Sequence, residues 1–181
     1  MKYLVRDKML AIGDDYWIED ENGRHAFLVD GKALRFRDTL ELKDPDGLVL
    51  ITLREKLFTL RDAMTLERGD TSPVAGGEGR LAVIRRKRLS LVRGHFRVTL
   101  AEGTELDVSG RILDREFKVE YEGELLALVS RQWYRLRETY AVDVVREDAD
   151  AALLIAVAVC VIRLAERERV GGVSPDGVPG P

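Results

Sequence analysis

The feature that most constrains this chain is an uninterrupted run of twelve apolar residues near its C-terminus, at 151–162 (AALLIAVAVCVI). Acidic residues precede the run, from Glu147 to Asp150, and arginines follow it, from Arg163 to Arg169. Anions before and cations after match the dipole of an α-helix. The β-branched residues leave a strand as an alternative, but a strand of this length is unusual and the alanines favour helix.

No polar stripe interrupts this run, so a helix here has no face suited to water. A membrane-spanning helix needs about 20 apolar residues, and a run of this length is more often a buried core helix. We therefore predict a helix surrounded by protein on all sides. The predicted core residues of this helix are Leu153, Leu154, Ile155, Val157, Val159 and Ile162.

Most of the preceding chain alternates apolar and polar residues over short stretches. Residues 16–20 and 26–29 flank Asn22 and Gly23, which accept the positive φ of a tight hairpin turn. Further short runs of the same kind follow, around residues 40–42, 48–53, 96–100, 117–121 and 125–129. The pattern predicts a mainly β domain, an antiparallel meander closed as a barrel or a sandwich.

A short pattern recurs four times along the chain, starting at Lys32, Lys56, Arg88 and Gln132. The first position holds a cation in three copies. Apolar residues follow in most copies two and four positions later, then an arginine, usually an acid, and a strand with two alternating apolar residues. We interpret the repeat as one bend-and-strand element used several times around one sheet, with a structural role for its Arg-acid pairs.

Composition narrows the classes of function. The chain has 29 Lys and Arg against 32 Asp and Glu, a net charge of −3, which gives no overall attraction to nucleic acid. A single cysteine, Cys160, excludes an internal disulfide, and only His25 and His95 supply imidazole. We found no phosphate loop, GxSxG elbow, HExxH motif or EF-hand loop, so we expect neither an enzyme nor a bound cofactor or metal.

The order of several segments resembles the LURP-one-related family, whose members adopt the tubby-like fold. The resemblance extends from about Tyr3 to Ala165. It depends on VDGK at 29–32, DTL at 38–40, KLFTLRD at 56–62, GRILDREF at 110–117 and SRQWYRLRETYAVD at 130–143.

This resemblance implies a closed antiparallel β-barrel of about twelve strands around a central hydrophobic C-terminal helix. We assign one domain to residues 1–169, and the Pro- and Gly-rich composition of residues 170–181, which is extra to the family pattern, predicts a disordered tail. Structural relatives include tubby domains, which bind phosphoinositides, and phospholipid scramblases. Scramblase activity is not expected, because the apolar run is too short to span a bilayer.

The candidate binding site is the basic segment 80–97, which contains no acid. Its cations include Arg85, Arg86, Lys87, Arg88 and Arg93, and we place them at one end of the barrel. Such a group can contact the phosphates of an anionic membrane. The alternative is a solvated turn whose charges pair with the acid-rich stretch 102–124.

Three functions remain open at this point. The first is a module that binds anionic phospholipid headgroups, and the second is a soluble scaffold or protein-interaction domain without lipid contact. The third is an enzyme or small-molecule carrier that uses the barrel interior, which a bulky helix would fill. We expect a cytoplasmic monomer, with a peripheral membrane location as part of the first alternative.

Overall fold

The fold was examined in a computed structural model of the 181-residue chain. The structure describes residues 1–6, 15–31, 39–55, 63–69, 79–87, 93–111, 116–134 and 137–171. It contains twelve strands and one helix in these ranges. The strands are β1 (Lys2–Arg6), β2 (Tyr16–Asp20), β3 (His25–Gly31), β4 (Thr39–Lys43), β5 (Val49–Glu55), β6 (Ala63–Arg68), β7 (Arg80–Arg86), β8 (Arg93–Leu100), β9 (Glu105–Arg111), β10 (Glu116–Tyr121), β11 (Glu124–Tyr134) and β12 (Arg137–Val144), and the helix is α1 (Ala151–Gly171).

The strands form one closed barrel in which each strand pairs with its neighbours in sequence and β1 pairs with β12. All pairings are antiparallel, and the closing pair sets Tyr3 opposite Val142 and Val5 opposite Tyr140. The N-terminal amine of Met1 donates to the Val144 carbonyl at 2.8 Å and extends this closing ladder. Closure removes the exposed sheet edges that favour aggregation. The predicted closed barrel of about twelve strands is confirmed.

The alternation of apolar and polar residues in the sequence corresponds to the two faces of the barrel wall, with apolar residues facing the interior and polar residues facing the outside. In each repeat copy the two alternating apolar residues are buried: Leu40 and Leu42, Met64 and Leu66, Phe96 and Val98, and Tyr140 and Val142. They lie on β4, β6, β8 and β12, which all run in the same direction because neighbouring strands are antiparallel. The bends of the repeat themselves fall largely outside the described residues.

The helix α1 lies inside the barrel, as predicted. Its residues from Leu154 to Ile162 are all at most 3% exposed, so no side of the helix faces water over this stretch. Leu153, which we predicted as core, is only half-buried and packs at the margin of the core. The other five predicted core residues of the helix are buried.

Asp150 caps the start of the helix, since its carboxylate accepts a hydrogen bond from the Leu153 amide at 3.0 Å. The helix ends at Gly171, nine residues beyond the apolar run. It therefore includes the first two residues of the segment that we predicted as a tail. Residues 172–181 lie outside the described residues.

The direction of α1 follows from its neighbours at both ends. It begins shortly after β12 ends, at the end of the barrel where Met1 also lies. Tyr16 begins β2 at the opposite end. Burial raises the pKa of the Tyr16 phenol, and the positive charge of Arg163 opposes this shift, so the C-terminal half of α1 reaches that end.

Candidate functional site

Within the predicted basic segment, Arg85, Arg86 and Lys87 lie at the end of the barrel that the C-terminal half of α1 reaches, whereas Arg80 lies at the opposite end. Arg85 and Arg86 are the last residues of β7, and Lys87 follows them directly. The Arg85 side chain is exposed, and those of Arg86 and Lys87 are half-buried. Arg93 begins β8, but its side chain is not among the described parts of the chain, and Arg88 lies outside the described residues altogether.

Lys87 is already paired within the protein. Its Nζ lies 2.5 Å from Oδ1 of Asp107 on β9, and this hydrogen bond from Lys87 holds the pKa of the Asp107 carboxyl below its usual range. Arg97 on β8 pairs with Glu105 at 3.3 Å. Both acids belong to the stretch 102–124. Lys87 and Arg97 therefore agree with the alternative hypothesis for the basic segment, in which its charges pair with this acid-rich stretch.

A Lys87→Met variant is expected to raise the pKa of the Asp107 carboxyl toward its ordinary value, because the variant removes the hydrogen bond that contributes most to lowering this pKa and the positive charge of Lys87. The folded-state pKa of Asp107 is lowered, so the ion pair stabilises the fold above the ordinary carboxyl pKa and is lost as the pH falls. Carbon-13 NMR titration of the aspartate carboxyls measures the shift. An unchanged Asp107 titration in the variant would contradict the pairing.

The two ends of the barrel differ in charge. At the end where α1 begins, the described connections are residues 21–24, 44–48, 101–104, 122–123 and 145–150. These connections hold eight acids against two arginines, Arg24 and Arg146. The acids are Glu21, Asp44, Asp46, Glu102, Glu122, Glu147, Asp148 and Asp150. We call this end the acidic end.

At the opposite end β7 ends with Arg85 and Arg86 and is followed by Lys87, and β9 ends with Arg111. Two acids, Glu55 at the end of β5 and Glu116 at the start of β10, also lie there. We call this end the basic end. The helix dipole opposes this separation of charge, since its positive N-terminus lies at the acidic end and its negative C-terminal half reaches the basic end.

This separation of charge was missed at the level of the sequence. Acids and bases alternate along the chain, and the net charge of −3 conceals any asymmetry. In an up-and-down barrel, every second connection lies at the same end. The charge asymmetry therefore becomes visible only when the connections are assigned to the two ends of the barrel. The signal that could have revealed it is the acidic character of the predicted tight turns.

Outside the basic segment, Trp17 and the single cysteine, Cys160, have structural roles. Trp17 lies on β2 and stacks on the ring of His25, with centroids 4.2 Å apart and ring planes 6° from parallel, which agrees with cross-strand packing. Cys160 is buried in α1, and burial raises the pKa of its thiol, which disfavours the nucleophilic thiolate. The side chain of Trp133 and the pairs Arg37-Asp38 and Arg61-Asp62 lie outside the described parts.

Across the described residues, no group of three or more His, Cys, Asp or Glu side chains is placed to hold a metal ion. Within those same ranges, α1 included, no helix combines the length and the apolar character needed to cross a bilayer.

Comparison with known proteins places the chain among relatives. The family model described as LURP-one-related matches residues 1–162. The Bacillus subtilis (strain 168) protein YxjI, described as uncharacterized, is 23% identical over 159 residues, which cover 88% of this chain and 90% of that protein. The X-ray structure of an Arabidopsis thaliana protein, AT5G01750, superposes with a TM-score of 0.65 at 18% identity and covers 88% of each chain.

The structural match supports the fold, and the family match covers nearly the whole described barrel together with the buried part of α1. The resemblance inferred from the sequence segments is thereby confirmed. The chain belongs to the LURP-one-related family.

Proposed function

We propose that this protein is a non-enzymatic binding module that docks on anionic phospholipid surfaces through the basic end of its barrel. The observation that carries the proposal is the opposite charge of the two ends. An anionic surface attracts the end that presents Arg85 and Arg86 and repels the end whose described connections hold eight acids. The electric field of an anionic membrane would therefore both attract the protein and orient it with its basic end toward the membrane.

The filled interior of the barrel argues for a surface function. The side chains of α1 occupy the space that a carrier would use for its ligand, and Val157 and Ile155 are completely buried there. We therefore place binding on the outside of the barrel. A cytoplasmic location with peripheral membrane contact is part of this proposal.

The test is co-sedimentation with phosphatidylcholine vesicles, with and without phosphatidylserine, at low salt. An Arg85→Gln, Arg86→Gln double variant should bind the anionic vesicles roughly 30-fold more weakly, since each cation near such a surface contributes about 1 kcal/mol. The melting temperature should change only slightly, because Arg85 is exposed and Arg86, although half-buried, lies at the end of its strand.

The matched control is an Arg24→Gln, Arg80→Gln double variant. This variant removes two positive charges, as the test variant does, but from exposed arginines at the acidic end. Arg80 is the first residue of β7, the strand whose last two residues are Arg85 and Arg86. This variant should bind like the wild type. Absence of binding at low salt, where screening is weakest, would overturn the proposal and favour a scaffold without lipid contact. Equal weakening by the two double variants would exclude the basic end as the docking surface.

A further inference from the structure

The outer wall of the barrel contains a cavity of about 320 Å³ between β8 and β11, which is open to solvent on one side, where Arg111, Glu116 and Lys118 are exposed. Polar side chains from three strands line it, and Leu128 of β11 supplies an apolar side. This volume is at the lower end of the range of small-ligand sites, about 300–1,000 Å³. The cavity is separate from the barrel interior, which α1 fills.

Three of the lining residues form a row across adjacent strands. His95 on β8 is opposite Ser109 on β9, and Ser109 is opposite Lys118 on β10. Residues directly opposite on antiparallel strands have Cβ atoms about 5 Å apart. An imidazole, a hydroxyl and an ammonium group therefore face one small volume, with the hydroxyl in the centre.

The wall of the cavity needs a glycine at position 110. A Cβ added to Gly110 would lie 1.9 Å from the carbonyl oxygen of Glu116 and 2.8 Å from Cα of Phe117. The strand β10 therefore passes too close for any side chain at this position. The Phe117 ring is buried and meets Phe96 edge-on at 6.2 Å, so it leaves the outer cavity unfilled.

The charges around the cavity favour an anion. Arg111 and Glu116 both line it and are opposite each other on β9 and β10. With Lys118 this makes two cations against one acid among the lining residues. Arg93 is the cross-strand partner of Arg111, so the cavity borders the basic end directly.

We propose that this cavity binds a phosphate monoester group, with Ser109 and Lys118 as its central donors. A hydroxyl and cationic nitrogen donors are the groups that hold phosphate oxygens in proteins, and charge-assisted hydrogen bonds of this kind are the strong ones. The inference deepens the proposed function and rests on it only for a lipid headgroup as the source of the phosphate. A soluble phosphate monoester has the same chemistry.

The first experiment titrates the full-length protein with inorganic phosphate and with glycerol 3-phosphate at constant ionic strength, against chloride as the reference anion. Amide NMR shifts should concentrate on the row from His95 to Lys118. A Lys118→Met variant should bind about tenfold more weakly, as expected for the loss of one charge-assisted hydrogen bond. Lys118→Arg should restore binding at least in part.

The matched control is Lys2→Met. Lys2 lies in the continuation of the same row, since Lys118 is opposite Leu128, Leu128 is opposite Asp143, and Asp143 is opposite Lys2. The Lys2→Met variant removes one positive charge from the same outer wall, at a position outside the cavity, and should leave phosphate binding unchanged. Shifts that spread over all basic residues, or equal losses in the two variants, would overturn the site.

The second experiment identifies the source of the phosphate. Vesicles with phosphatidic acid expose a phosphate monoester, whereas phosphatidylserine carries a phosphodiester. Stronger binding to phosphatidic acid that disappears in Lys118→Met supports a lipid headgroup. Binding of glycerol 3-phosphate without this preference supports a soluble ligand, and it would persist even if vesicle binding and the proposed function both failed. No response to either soluble phosphate would overturn the inference.

Discussion

A Val157→Asp variant is expected to lose about 3–5 kcal/mol of stability, because it places a carboxylate without a partner in the centre of the barrel. Val157 is 0% exposed and lies in the middle of the buried stretch of α1. A domain of this size has a total stability of about 5–15 kcal/mol, so much of the margin disappears. Urea unfolding followed by circular dichroism measures the loss.

The loss should also depend on pH in a defined direction. Burial raises the pKa of the introduced carboxyl above its value in the unfolded chain, so the unfolded state loses its proton first as the pH rises. The variant should therefore be least stable near neutral pH and recover partly in mild acid. Val145→Asp is the matched control, because Val145 is 53% exposed, and it should change stability little. Tolerance of aspartate at position 157 would contradict the buried position of the helix.

A chain that ends at Asp150 should fail to fold. It lacks α1, and each fully buried aliphatic side chain of that helix contributes about 1.5–3 kcal/mol. The inward residues of the strands, such as Leu42 and Val142, would also lose the surface on which they pack. The expected result is an insoluble or unfolded product without dispersed amide NMR signals, whereas the full chain folds cooperatively.

The control for this truncation is a chain that ends at Gly171, the last residue of α1. It retains every residue of the helix, and its melting temperature should match that of the full chain. A soluble, cooperatively folded protein without α1 would show that the barrel is stable when empty. That result would contradict the central role of the helix in this fold.

The helix shows which structural features the pattern of apolar residues can predict. An apolar run without a polar stripe leaves only a buried location, and Leu154 to Ile162 are buried as that reasoning requires. The far end of the helix could not be read from the same signal. Beyond residue 162 the helix continues to Gly171 through a stretch rich in Arg and Glu, which have good helix propensity whether or not a core is present.

The candidate site was predictable only in part. The absence of acids in the segment 80–97 predicted a basic surface, and the structure places the exposed Arg85 next to the last residue of β7. Pairing of Lys87 with Asp107, twenty residues away, depends on the β8 hairpin and the register of β9. Likewise, no local pattern marks Ser109 and Lys118 as neighbours, because an outward Ser or Lys in a strand has the appearance of ordinary solvated surface.

The sequence by itself predicted the burial of the helix and, where apolar and polar residues alternate, the strands and their inward faces, whereas the number of about twelve strands came from the family resemblance. The burial and the strand assignments follow from the period of two in strands, from turn residues such as Asn22 and Gly23, and from the free energy of removing apolar groups from water. The tertiary structure alone decided the acidic and basic ends and the cavity beside Gly110. Both arise from residues far apart in the chain that barrel closure and strand register bring together. Because exposed positions accept many different polar residues, no local sequence pattern marks these residues in advance.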